Sequence, residues 1–233
     1  MSGSLEGIRA LVTGASRGMG RAVAEAYAAR GARVVAAARA PGSLAALRAA
    51  FAERGWPLGE ATGDLGDPAE AARVGREAAA TLGRVDVLVN NAGLLGARAP
   101  LGEFPLDVWE RTFAVNVTGL LALTQAVLPA MPDGAAIINV TSGAAGRSGW
   151  GAYSVTKLAV DGITAMLRDE LAPRRIRCVA INPGPARTAM RAAAHPDEDP
   201  ATVPPPAALT GPFVAVAGGA DPGPHVEAAS WRP

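Results

Sequence analysis

Several residue types are scarce in this sequence, and each scarcity excludes something. Cysteine occurs once, at Cys178, so no internal disulfide is possible. Its setting, RIRCVAI, is an apolar strand-like run and predicts a small buried hydrophobe. Net charge is only +1, so nothing marks nucleic acid or a membrane surface as a general partner. There is no G-K-[ST] phosphate loop, which argues against an NTPase. The N-terminal MSGSLEGIRA lacks a basic region followed by an apolar run, so no secretory signal is expected and a cytoplasmic location follows as the default. Without such a signal, Asn116-Val-Thr118 and Asn139-Val-Thr141 are chance matches to the glycosylation sequon. Long hydrophobic runs are also missing: Phe113 to Pro132 carries no charge, but Asn116, Thr118, Thr124, Gln125 and Pro129 interrupt it, predicting a buried helix rather than a span. Only two histidines occur; His195 and His225 fall outside every motif below and are expected at exposed or tail positions, and no metal site is expected.

What is present is apolar. Hydrophobic residues make up 49% and charged residues 18% of 233, enough to bury the core of one α/β domain spanning 1–233. β-Branched runs alternate with Ala-rich helical periodicity. Strands are predicted at 8–13, 33–38, 60–64, 85–90, 135–141 and 176–182. Helices are predicted at 18–30, 43–54, 68–82, 106–131 and 151–172, with Gly31, Gly55 and Gly83 as stops and Pro68 as a start. Strands apolar on both faces, alternating with helices, imply a doubly wound, Rossmann-type parallel sheet covered on both sides. After Thr188 the texture changes. HPDEDPATVPPPAALTGP is too rich in proline and charge to be regular throughout, so 189–224 reads as a substrate lid and irregular C-terminal region. A short helix is predicted at 207–217, weakened by Gly211-Pro212, and a last strand at 225–230.

Between the first strand and first helix lies TGASRGMG, with Gly14, Gly18 and Gly20 spaced G-x-x-x-G-x-G. Glycines let the backbone turn sharply and approach a ligand, and the following helix N-terminus offers free N–H groups to a pyrophosphate. At the end of the second strand, where an acid reads a ribose 2′-hydroxyl, the chain has Ala38-Arg39. Arg39 and Arg17 together favour a 2′-phosphate, hence NADP(H), with NAD(H) as the alternative.

With two tyrosines and one lysine in the whole chain, GAYSVTK places Tyr153 and Lys157 four residues apart, on one helical face. A phenol ordinarily titrates near ~10 and is a poor acid–base catalyst at neutrality. A neighbouring ammonium, together with the positive charge of an oxidised nicotinamide, favours the phenolate and is expected to lower that value.

In this order, over residues 8 to 188, the motifs resemble the short-chain dehydrogenase/reductase family. TGASRGMG is similar to its cofactor loop (Gly14, Ser16, Arg17, Gly18, Met19 and Gly20), and Asp64-Leu65 to its adenine contact. NNAG (Asn90, Ala92 and Gly93) resembles its fourth-strand motif, and INPGPART (Pro183, Gly184, Ala186 and Thr188) its P-G-x-x-x-T segment. The resemblance implies catalytic roles for Asn116, Ser142, Tyr153 and Lys157. Tyr153 exchanges the proton, Lys157 also holds the nicotinamide ribose, Ser142 binds the carbonyl oxygen, and Asn116 keeps a water against Lys157. It also implies a small-molecule carbonyl or alcohol substrate, and a homodimer or homotetramer built on helices 106–131 and 151–172. Read alone, these residues have blander roles: Ser142 a turn residue with Thr141 as a rival hydroxyl, Asn116 a buried structural amide, Asp64 a cap, Trp150 packing or pocket lining. An epimerase on the same fold and a non-catalytic dinucleotide sensor are the alternative functions. The segment between Ser142 and Tyr153 is slightly shorter than is common in the family, and the lid is short with three prolines at 204–206.

Overall fold

A computed structural model describes residues 3–231; residues 1–2 and 232–233 of the expected 1–233 domain lie outside the described residues. Seven strands form one sheet in the order β3-β2-β1-β4-β5-β6-β7, every neighbouring pair parallel. They are β1 (Arg9–Thr13), β2 (Arg33–Ala38), β3 (Leu58–Thr62), β4 (Val87–Asn90), β5 (Ala136–Val140), β6 (Arg177–Asn182) and β7 (His225–Glu227). The helices between them are α1 (Gly18–Ala28), α2 (Ala45–Glu53), α3 (Pro68–Leu82), α4 (Leu106–Phe113), α5 (Leu120–Val127) and α6 (Gly151–Glu170), followed by α7 (Ala189–Ala194) and α8 (Gly211–Ala217).

The strands are buried on both faces because two apolar layers sandwich them. One layer joins Val12, Val34 and Ile138 to Tyr27 of α1, Phe51 of α2 and Phe213 of α8. The other joins Leu11, Val35 and Ile137 to Val74 of α3, Leu123 and Val127 of α5, and Cys178. Each large side chain removed from water here contributes roughly 1.5–3 kcal/mol. Helix starts follow local chemistry. Asp67 caps α3 by accepting from Ala69 and Glu70 N–H groups, with Pro68 in the first turn, and Gly83 closes the helix in the left-handed region.

Several expectations are corrected. The third strand is Leu58–Thr62, not 60–64, because it pairs with β2 from Val34↔Leu58 onward; Asp64 therefore stands beyond the strand end. The long helix ends at Ala130 and carries a π turn at Ala114–Gly119 between α4 and α5. It is long and apolar enough to cross a membrane, but 39% of its most apolar window is buried, so the expected burial is partial. At 207–217, Gly211-Pro212 does not weaken a helix but begins one, since proline is tolerated in a first turn. A separate 3-10 turn covers Pro206–Leu209. The last strand stops at Glu227, and a 3-10 turn follows. The lid region 189–224 is also less irregular than expected, because Phe213 is wholly buried and its carbonyl accepts from the Tyr27 hydroxyl.

Candidate active site

A cavity of about 650 Å³ lies across the carboxyl ends of the strands, within the ~300–1,000 Å³ usual for small-molecule sites. In a doubly wound sheet this is where order reverses, here between β1 and β4, and the loops diverge to leave a crevice.

At one end the loop after β1 supplies Gly14, Ser16, Arg17, Gly18 and Met19 to the lining. Gly14 and Gly18 sit at positive φ (64° and 59°), which glycine adopts without strain. Gly20 stands outside the lining; a methyl there would come within 2.4 Å of the Gly14 carbonyl oxygen and Asn91 Nδ2, so this glycine lets the helix approach the loop. The N-terminus of α1 has no side-chain cap, leaving its N–H groups to an incoming anion. The loop after β2 adds Arg39 and Ser43, and that after β3 adds Asp64 and Leu65. Arg111, from α4, lines the same end and grips both Asp64 carboxylate oxygens at 2.7 and 2.6 Å. No local pattern in the sequence points to Arg111, which meets Asp64 from 47 residues away.

At the other end stand Ser142, Tyr153 and Lys157. Gly151, at φ 52°, starts α6 where its missing side chain makes room for the Phe104 ring. One helical turn then sets Tyr153 and Lys157 on the same face, the ammonium 5.6 Å from the phenol ring centre. Ser142 lies beside Tyr153, and its Oγ accepts from the Ala144 N–H at 3.1 Å. Thr141, the rival hydroxyl, is buried beside it with no hydrogen-bond partner among the described residues. Lys157 Nζ donates to the Val140 carbonyl at 2.7 Å. Burial pushes the ammonium down to about 8, partly opposed by the nearby Asp161 carboxylate. Tyr153 departs from expectation. Burial raises its pKa, the Ser142 hydroxyl opposes that rise, and the protein alone does not produce the lowering that Lys157 was expected to give.

Asn116 lies in the π turn and outside the cavity lining. Its Oδ1 accepts from Leu94 N–H at 2.7 Å, and its Nδ2 donates to the Leu94 carbonyl and Thr156 Oγ1. The side chain thus holds the loop after β4 against α6. π turns interrupt the regular ladder and recur at functional sites. Asn90 also stands outside the lining. Its Nδ2 donates to Thr124 Oγ1 and Asn139 Oδ1, and Asn139 Nδ2 donates to Thr164 Oγ1, so two buried amides tie β4 and β5 to α5 and α6. Asn91 takes the place at the cavity wall, with Ala92 and Gly93. Both sequon asparagines, 116 and 139, are buried.

The segment after β6 contributes Pro183, Gly184, Ala186 and Thr188, and Thr188 caps α7 by accepting from Arg191 N–H. Trp150 lines the cavity next to Tyr153. His195, expected at an exposed or tail position, packs its ring 5.6 Å from that of Trp150. His225 is 45% exposed and faces Asp161 and Glu227.

A glycine-floored loop, an uncapped helix start, and an orphaned hydroxyl beside a buried Tyr–Lys pair are features that a nicotinamide dinucleotide would fit. Known proteins agree with the fold and the motifs. Residues 9–199 match the family model described as short chain dehydrogenase. The oxidoreductase YciK of Escherichia coli (strain K12) is 37% identical over 199 residues, covering 82% of this chain and 78% of that protein. A short chain dehydrogenase structure from Salmonella enterica serovar Typhi str. CT18 superposes with TM-score 0.92 at 34% identity, covering 98% of each chain. One from Shigella flexneri 2a str. 301, complexed with NADP, superposes with TM-score 0.91 at 33% identity, covering 98% of this chain and 100% of that one. The chain belongs to the short-chain dehydrogenase/reductase family.

Proposed function

We propose that this protein interconverts a carbonyl and an alcohol by NADP(H)-dependent hydride transfer, with Tyr153 as general acid and base. The observation that carries the reading is the convergence of the Ser142 and Tyr153 hydroxyls beside a buried ammonium, at the end of a cavity whose far end presents Arg17 and Arg39. The NADP bound by the Shigella relative supports the choice of cofactor.

Arg17 and Arg39 would hold the 2′-phosphate, the open N–H groups of α1 the pyrophosphate, and Asp64 the adenine. Lys157 would turn its remaining N–H groups to the ribose while keeping Val140. When bound, the nicotinamide supplies or accepts the hydride. Tyr153 donates its phenolic proton to the carbonyl oxygen in reduction and takes it back in oxidation. Ser142 donates to the same oxygen and stabilises charge growing there. Lys157 offsets the cost of a phenolate that burial otherwise disfavours. Asn116 acts as a positioning residue, fixing the π turn and the loop that carries Leu94. We further propose a cytoplasmic homo-oligomer without nucleic-acid or membrane partners. The exposed Leu121, Leu158 and Met166 on α5 and α6 support a subunit contact there.

The test is Tyr153→Phe. It should keep NADPH affinity within about threefold and lose at least ~10³ in kcat toward any accepted ketone. Turnover retained in this variant sinks the assignment.

A further inference from the structure

Resting on that reading, we infer that the substrate is an uncharged carbonyl compound with an aromatic or alicyclic body, seated against Trp150, and not an oxo acid or a sugar. Two independent features carry this.

The first is charge. Arg191 is the cationic side chain that lid helix α7 turns into the cavity lining, and it is already spent. Its Nε and Nη2 fork onto the two Glu198 oxygens at 2.7 and 2.6 Å. Lys157 is committed to Val140 and buried, and Arg17, Arg39 and the Asp64–Arg111 pair belong to the nucleotide end. Among the described residues, the cation at the catalytic end without a carboxylate partner is Lys157, and its ammonium is buried and already donates to the Val140 carbonyl. A substrate carboxylate would be desolvated there with no exposed guanidinium or ammonium free to pair with it, which is costly.

The second is shape. The catalytic end is walled by Leu94, Leu95, Met190, Ala194 and the indole of Trp150. That indole is braced. The Arg98 guanidinium lies 4.4 Å from the ring centre, while Arg98 itself is outside the cavity lining. Arg98 also donates to the Ala194 carbonyl at the end of α7, and His195 packs against the same ring. A flat apolar wall held at fixed position favours a flat apolar partner, and stacking against it adds to simple burial. A polyhydroxylated chain would meet few hydrogen-bond partners there beyond Ser142 and Tyr153, and each unmatched hydroxyl would lower its affinity.

The experiment uses matched pairs with the purified protein. Benzoylformate and its methyl ester share a skeleton and differ by one charge. NADPH oxidation should be at least about 50-fold more efficient (kcat/KM) with the ester. Glu198→Gln, which releases Arg191, should narrow that ratio at least tenfold. Trp150→Ala should reduce the ratio of kcat/KM for 1-tetralone over 2-butanone at least tenfold, mainly through KM for 1-tetralone. Calorimetry of the acid and ester on NADP⁺-saturated protein separates the two readings. Preferential ester binding with no turnover upholds the substrate class and sinks the redox reading. Turnover of the acid at parity with the ester, or of ketoses above cyclic ketones, upholds the redox reading and overturns the substrate class.

Discussion

Lys157 should destabilise the fold that it serves. Removing it as Lys157→Met keeps the length of the side chain and deletes the charge. Burial takes the ammonium from 10.5 down to about 8, a difference of about 2.5, and at ~1.36 kcal/mol per pKa unit this is worth roughly 3 kcal/mol. Because the folded value lies below the unfolded one, the unfolded chain binds more protons between about pH 8 and 10.5. Stability from this group therefore rises with pH across that window, and its full penalty is present below about pH 8. The methionine variant also forfeits the hydrogen bond to the Val140 carbonyl, a loss of ~1–3 kcal/mol that does not vary with pH. The informative quantity is thus the stability difference between variant and parent, measured by urea unfolding without cofactor at pH 7 and again near 10.5. That difference should move by about 3 kcal/mol against the variant as pH rises, or roughly 6–12 °C in Tm for a chain of this size. Groups common to both proteins cancel. A difference independent of pH would refute the argument, since it would mean that the amine is not desolvated in the folded state.

Three further outcomes are expected. Arg39→Asp should lower the kcat/KM preference for NADPH over NADH by roughly tenfold to a hundredfold, because it replaces a phosphate-pairing cation with a ribose-reading acid; unchanged selectivity would assign the 2′-phosphate to another residue. Gly151→Ala forces a methyl to within 1.9 Å of the Phe104 ring at φ 52°, which should cost at least ~2 kcal/mol in thermal unfolding. A neutral result there would show that the ring yields freely. Asn139→Ala removes the amide that joins Asn90 to Thr164 and should cost about 2–3 kcal/mol in chemical denaturation; a loss below half a kcal/mol would leave the network without energetic weight.

Much of this molecule can be read in the sequence, because its signals are local. The Gly14–Gly20 loop, the Gly83 stop after α3 and the Tyr153–Lys157 spacing each depend on residues close in the chain, and the alternation of apolar runs set the parallel sheet. Distant partners are not legible in that way. Arg111 meets Asp64 across 47 residues and Arg98 meets Ala194 across 96, and neither leaves a periodic trace. Neighbours of similar chemistry are equally hard to sort: Asn90 and Asn91 are adjacent amides, yet the first ends β4 with its side chain in the core, and the second, past the strand end, stands at the cavity. Tyr153 shows the same limit in energetic form. Its proximity to a lysine was visible, whereas the burial that outweighs that proximity depends on the whole fold.

The paired amides of Asn90 and Asn139 carry a wider consequence. They lock the register of β4 and β5 just beneath the reactive groups, so that part of the protein tolerates little sliding. The opposite wall is a loop and a six-residue helix, joined to each other through one arginine. On the proposed function, mutational drift can therefore reshape substrate preference at 94–98 and 189–194 while leaving Ser142, Tyr153 and Lys157 in place. A laboratory search for altered selectivity would best confine its diversity to those two stretches.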